Sequence, residues 1–311
     1  MKTDEILVTG GTGMVGVALK NIIPDATFVG SKHFDLKNEK EVSKMLAHHE
    51  PKYVIHLAAK VGGLKANMDN LGTFYYDNIK INTNVLEQSR VHKVEKVISL
   101  LSTCVYPKDV DYPLTEDQIN KGEPHSSNFG YAYAKRMLDV QSRAYKKQYG
   151  CKFTTVIPNN LFGENDNFDL ESSHVIPALI RKIHKAKTEN KNEVVLWGTG
   201  EPLREFTYSG DIAKILLFML ERYNGAEPRN IGNTNEYSIK EIANKISDIL
   251  KYDGSILWDC SMPSGQYKKP SSNNKLLALG WKKNDYTDFD EALKKTCKWY
   301  IMNYPQVRGI N

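Results

Sequence analysis

The sequence predicts an α/β fold: a Rossmann-like doubly wound parallel sheet with a smaller C-terminal α/β substrate-binding lobe. Three observations predict it. Short apolar runs alternate with stretches of helical period through the first half of the chain. A glycine-rich turn, VTGGTGMVG, joins the first run to the first helical stretch. A polar triplet, Ser102-Thr103-Cys104, closes a later apolar run, where open α/β sheets carry their chemistry.

The elements follow in order. Residues 6–8 form a strand, 16–23 a helix stopped near Pro24, and 27–29 a second strand. A helix over 39–49 leads to a third strand at 53–57. A long helix over 78–92 precedes a fourth strand at 97–101, and a helical period over 131–149 precedes a fifth at 153–157. After Pro158 the regularity fades. Residues 159–173 are rich in Asn, Asp, Gly and Ser, a long loop for a compact domain and therefore a functional one by expectation. Helices over 174–187 and 211–222 flank a strand and turn at 194–209, and 228–232 returns to the sheet. Two or three helices with short strands fill 239–311. The expected division is a cofactor domain over 1–165, with 206–235 returning to it, and a substrate lobe over 166–205 and 236–311.

Bulk properties narrow the function. A net charge of +5 over 311 residues, with no basic block carrying interleaved aromatics, argues against nucleic acid and suits a small anionic substrate. The opening MKTDEILVTG has no signal-peptide pattern, and no apolar run is long enough to span a bilayer, so no membrane partner is expected. The cysteines, at 104, 151, 260 and 297, form no CxxC pair. Neither a disulfide nor a metal site is expected, and a reducing cytoplasm is the expected setting.

Gly10, Gly13 and Gly16 stand at GxxGxxG spacing directly between a strand and a helix. A pyrophosphate requires a tight turn, close backbone approach and helix amides facing the anion there. Gly11, Thr12, Met14 and Val15 complete the turn. The second strand ends without an acid for a ribose hydroxyl; Lys32 stands there instead, as a partner for a 2′-phosphate, so NADPH is the expected cofactor. Asp35 and Leu36 flank the adenine, and Leu57, Ala58 and Ala59 let a cofactor pass close to the sheet edge.

Tyr131 precedes Lys135 by one helical turn, so both share a face. An ammonium beside a tyrosine favours the phenolate, and Tyr131 is then expected to titrate lower and to deliver a proton to a carbonyl oxygen. Tyr133 lies two residues from Lys135 and faces elsewhere. Ser102 is placed to donate to the same substrate oxygen. If the strand stays extended past Ser102, Cys104 shares its side. His174 precedes an apolar helical run with Ser172 or Ser173 as the cap. By the residues alone it reads equally as a capping or core histidine. His56 reads as a satisfied core histidine, His125 as an exposed loop residue, and Cys151 and Cys297 as packing.

Gly-rich turn, Ser102, Tyr131 and Lys135 together resemble the short-chain dehydrogenase/reductases, extended branch. The segments HLAAKVGGLKAN, LSTCVYP, NFGYAYAKRM, NNLFGENDNF, SHVIPALIR and WGTGEPLREF are similar to the GDP-L-fucose synthase family through nearly the whole chain. The resemblance implies 3,5-epimerisation and NADPH-dependent 4-reduction of GDP-4-keto-6-deoxymannose to GDP-L-fucose. It implies that Tyr131, Lys135 and Ser102 carry the reduction and that Cys104 and His174 carry the epimerisation. Pro158, Asn159, Asn160 and Leu161 line the nicotinamide, which Lys135 and His174 also reach. Asn160, Lys182, Trp197, Arg204, Ser264 and Lys269 hold the GDP-sugar. Ser264 departs from the family, which has an aspartate before that glycine. A homodimer through the two long helices is implied in the same way. Two alternatives remain: a related enzyme for another nucleotide-linked 4-keto sugar, and a non-catalytic NADP-sensing protein, which typically lacks the tyrosine or lysine.

Overall fold

The computed structural model describes residues 1–261 and 267–310. Its largest sheet is parallel throughout. It is built from β1 (Ile6–Thr9), β2 (Thr27–Val29), β3 (Tyr53–His56), β4 (Lys96–Leu100), β5 (Lys152–Ile157) and, later in the chain, Arg229–Asn230. The spatial order β2-β1-β3-β4-β5, with Arg229–Asn230 outermost, reverses direction beside β1, as in doubly wound sheets.

Strand alternation sends side chains to two separate cores. Ile6, Val8, Ile98, Leu100 and Val156 pack on one face with Leu19 and Ile212. Leu7, Val54, Val97 and Phe153 pack on the other with Val42, Leu86 and Leu138. The covering helices are α1 (Met14–Lys20), α2 (Glu39–His49), α3 (Leu64–Asp69), α4 (Leu71–Val91) and α5 (Phe129–Tyr149). Sequence period places α4 from 78 and misses α3 and the first two turns of α4, because of the described side chains in 64–77 only Asn67 and Phe74 are buried. Asn78, Asn82 and Asn84 are all buried and hydrogen-bonded, Asn78 to the Lys60 and Phe74 carbonyls and Asn84 to the Leu36 carbonyl.

A second body surrounds a three-stranded sheet and a two-stranded one. β6 (Asn160–Phe162), α6 (Val175–Thr188), β7 (Glu193–Trp197), β8 (Leu203–Tyr208), α7 (Ser209–Arg222), β9 (Arg229–Asn230), β10 (Glu236–Ser238), α8 (Ile239–Leu250), β11 (Ser255–Asp259), α9 (Asn274–Ala278) and α10 (Phe289–Asn303) complete the chain. β8 joins β6 to β10, and β7 pairs with β11. Its core joins Ile180, Ile183, Leu196, Ile246, Leu293 and Tyr300. Two details depart from the expected division. Phe162 and Phe206 pack in this second core. Leu276 and Trp281, expected in the substrate lobe, instead pack beside Ile6 and Ile212, because the chain crosses back to cover the exposed flank of α7. No helix among the described residues is long and apolar enough to cross a membrane.

Candidate active site

A cleft of about 740 Å³ opens along the C-terminal ends of the parallel strands and reaches the 158–174 segment. Gly10 sits at φ +69°, and a Cβ there would lie 2.7 Å from the Ala58 backbone nitrogen, so the turn requires glycine. Gly13 caps α1 in extended conformation with no side-chain cap, leaving the first-turn amides to the cleft. Thr12, Met14, Val15, Gly16, Asp35, Leu36, Leu57, Ala58 and Ala59 border the cleft, as do Pro158, Asn159, Asn160 and Leu161. Gly11 lies behind it, its amide donating to the Val29 carbonyl at 2.8 Å. This glycine cradle and elongated cleft fit a dinucleotide.

Lys32 does not border the cleft. The Gly30 amide donates to His33 Nδ1 at 3.0 Å, and in the turn so formed Lys32 is exposed to solvent. The cations that do border this end are Lys37 and Lys60, which face Asp77 at 3.8 and 3.0 Å.

Tyr131 and Lys135 reach the cleft from the first turns of α5. Lys135 Nζ donates to the Leu100 carbonyl at 2.7 Å and lies 5.8 Å from the Tyr131 ring centroid. Burial lowers Lys135 to about 8, against the opposing pull of Cys104. Tyr131 is pushed well above its ordinary value by burial, then by Cys104. This overturns the expectation that Lys135 draws Tyr131 down. The ammonium is committed to the Leu100 carbonyl, and burial and the neighbouring Cys104 set the direction at Tyr131. Tyr131 therefore rests as a phenol, the form a proton donor needs.

Extended geometry ends at Ser102 (φ −160°, ψ 156°); Thr103–Val105 is a 3₁₀ turn. The two-residue alternation expected to place Cys104 beside Ser102 thus fails, and the turn brings them together instead. The Cys104 amide donates to Ser102 Oγ at 3.4 Å. Burial pushes the Cys104 thiol up, while Ser102, Lys269 and Lys135 pull it back. Lys269 Nζ donates to the Thr103 carbonyl at 2.9 Å, so a cation is fixed on this turn.

His174 is itself the N-cap residue of α6, with no side-chain cap bond. The expected serine caps are otherwise engaged or idle. Ser172 Oγ donates to Asp169 at 2.7 Å, and Ser173 Oγ is buried without a partner. His174 borders the cleft, and desolvation by its walls lowers its pKa, keeping the imidazole neutral.

Asn159 is held by Glu205, by the Asn233 carbonyl at 2.7 Å and by Thr207 at 2.6 Å; Asn160 donates to the Glu205 carbonyl at 2.8 Å. Lys182 Nζ stands 4.8 Å over the ring of Trp197, which is 53% exposed, forming a flat cationic patch outside the cleft lining. Arg204 donates to the Leu203 carbonyl at 2.7 Å and is close enough to Lys269 to depress it. Ser264 lies outside the described residues. His56 is buried between Thr9 (2.7 Å) and Asn82 (3.1 Å), a satisfied core histidine, and His125 is exposed against Ser127. Cys297 is buried, Cys151 half-buried and Cys260 exposed. Several cleft residues escape sequence reading, among them Lys37, Lys60, Asp166 and Arg308. Asp166 lies in the polar loop that its composition marks as functional, whereas Arg308, in the C-terminal tail, carries no signal.

A glycine cradle beneath a parallel sheet, facing a Tyr–Lys pair across one cleft, defines a dinucleotide-dependent enzyme of the Rossmann class. The chain belongs to the NAD dependent epimerase/dehydratase family, whose sequence model matches residues 6–233. It is 42% identical to the GDP-L-fucose synthase of Dictyostelium discoideum, over 97% of both chains. It is 37% identical to the GDP-L-colitose synthase of Yersinia pseudotuberculosis, over 96% of this chain and 98% of that one. The solved GDP-L-fucose synthetase of Naegleria fowleri bound to NADP superposes with a TM-score of 0.93 at 41% identity, covering 99% of this chain and 96% of that one.

Proposed function

We propose that this protein converts GDP-4-keto-6-deoxymannose to GDP-L-fucose by 3,5-epimerisation and NADPH-dependent 4-reduction. Full-length similarity to enzymes of that name supports the substrate. The observation that supports the two-step chemistry is the placement of Cys104: it follows Ser102 in the 3₁₀ turn, its amide on Ser102 Oγ at 3.4 Å, directly behind Ser102 and Thr103, which border the cleft with Tyr131 and Lys135.

A ketone at C4 acidifies the protons on C3 and C5. Tyr131 and Ser102 are the donors for the enolate oxygen formed when either is removed. Inversion needs one proton taken and another supplied from the opposite face. In our reading Cys104 takes it as a thiolate, and His174, neutral at rest, supplies the other as an imidazolium after taking up a proton from solvent. Lys269 and Lys135 are the cations that favour the Cys104 thiolate against its burial. Tyr131, held as a phenol, then protonates O4 as NADPH supplies a hydride to C4. Asn160, Lys182, Trp197, Arg204 and Lys269 hold the GDP-sugar, with residues 166–205 and 236–311 as its lobe and 1–165 with 206–235 as the cofactor's, apart from the exchanged packing of Phe162, Phe206, Leu276 and Trp281. The setting is cytoplasmic, and the protein is a homodimer through the outer faces of α4 and α5. On those faces Tyr76, Val91, Met137, Val140 and Tyr149 are exposed, which supports a covered surface.

The test is incubation with GDP-4-keto-6-deoxymannose in heavy water with NADPH. Deuterium at both C3 and C5 of the product, with NADPH consumed, is expected. Reduction without deuterium at either carbon removes the epimerase assignment. A related GDP-linked keto sugar is the second reading, favoured by the colitose-synthase similarity. Competition between the two keto sugars separates them by kcat/KM.

A further inference from the structure

We infer that Arg308 binds a phosphoryl group of a nucleotide in the cleft, either of the dinucleotide or of the sugar nucleotide. The inference rests on the dinucleotide reading of the cleft and adds a residue that lies beyond the segment matched by the family model.

Four cationic side chains border the cleft: Lys37, Lys60, Lys135 and Arg308. Three are committed. Lys60 pairs with Asp77 at 3.0 Å, and Lys37 faces the same carboxylate at 3.8 Å. Lys135 donates to the Leu100 carbonyl. The glycine turn from Gly10 to Gly16 brings amides but no cation of its own. Among the described residues Arg308 has no carboxylate within ion-pair distance, and no hydrogen bond engages its guanidinium. Asp166, close enough to be drawn down by Arg308, is buried and pushed up to about 7, so it carries only part of a charge near neutrality.

The backbone of Arg308 is nonetheless fixed. Its carbonyl accepts from the Phe168 amide at 2.9 Å. Arg181 Nη1 donates to the Phe168 and Gly309 carbonyls at 2.9 and 2.8 Å, tying tail to loop. Gly309 adopts φ +87° so close to Asn167 and Asp169 that no Cβ fits there. A free guanidinium on an anchored backbone is suited to phosphate oxygens: two parallel donors and a smaller ordering cost on binding.

The test compares wild type, Arg308→Gln and Arg308→Lys in direct binding of NADPH, NADH and GDP, with thermal unfolding recorded alongside. Arg308→Gln is expected to weaken at least one probe about tenfold, the size of one lost charge-assisted contact. Arg308→Lys recovers part of the loss, and the melting temperature stays unchanged. Loss for NADPH alone assigns the 2′-phosphate. Equal loss for NADPH and NADH assigns the cofactor diphosphate. Loss for GDP alone assigns the sugar nucleotide. Wild-type binding of the probes with Arg308→Gln within twofold on all three overturns the inference while sparing the cofactor reading. A wild type that binds none of them overturns both.

Discussion

Asp166 shows how one buried carboxyl alters the molecule's response to pH. It is 6% exposed, accepts the Asn167 amide on Oδ1 at 2.7 Å, and leaves Oδ2 buried without a partner. Desolvation raises it to about 7, against the Asn167 bond and Arg308. The folded state therefore retains a proton that the unfolded chain has released at lower pH. Stability is fully present below the ordinary carboxylate range and falls as pH rises toward 7. Asp166→Asn keeps the Oδ1 acceptor and cannot ionise. By denaturant titration it is expected to match wild type near pH 4 and to exceed it at pH 8 by up to about 4 kcal/mol. The same difference at both pH values would show that Asp166 does not titrate in this window. Cys104 follows the same logic, because burial sets its resting form and Ser102, Lys269 and Lys135 only temper it, whereas at Tyr131 burial and Cys104 act in the same direction.

Element boundaries are governed by contacts that local pattern does not contain. α7 ends over β4, where Lys96 enters the core and donates to the Met219 and Leu220 carbonyls at 3.1 and 2.5 Å, and to Asn224 at 3.3 Å. A lysine in strand β4 thus acts as the C-terminal cap of a helix far along the chain. Burial lowers it to about 8, so its charge is retained at neutral pH. Lys96→Met removes the donor and strands two buried carbonyls. A loss of about 2–4 kcal/mol in unfolding free energy is expected, with the carbonyl contacts refuted as a cap if the variant unfolds like wild type. α4 illustrates the converse. Its buried face carries Asn78, Asn82 and Asn84, whose partners come from the 60-region, His56, α5 and Leu36. The first two turns, residues 71–77, bury only Phe74, so no hydrophobic period announces the helix start.

Taken as one body, the protein leaves apolar side chains uncovered on α4 and α5, opposite the faces that pack on the sheet. The proposed homodimer would cover them. Light scattering is expected to give twice the mass of 35.3 kDa. Met137→Glu with Val140→Glu is expected to give the single mass with helix content intact, since both side chains are exposed in one chain. A monomeric wild type would remove the dimer from the proposal. Both long helices also carry site residues or their supports, so dissociation is expected to lower turnover as well.

Local chemistry was enough to place most of the sheet and the cofactor turn. β-branched runs, a glycine at φ +69° and a Tyr–Lys pair one helical turn apart are properties of neighbours in the chain. Their physical causes act within a few residues. What tertiary structure decided lies where distant segments meet. Lys32 is exposed in the turn that Gly30 closes on His33, next to Gly30 and Ser31 at the cleft border, where Lys37 and Lys60 also stand. Cys104 joins Ser102 through a 3₁₀ turn rather than along a strand. Tyr131 rests as a phenol because of desolvation, a property of the whole packed cleft, while the nearby ammonium is committed to the Leu100 carbonyl. Arg308 reaches the cleft only because the tail is pinned to the loop bearing His174, a contact between segments more than a hundred residues apart.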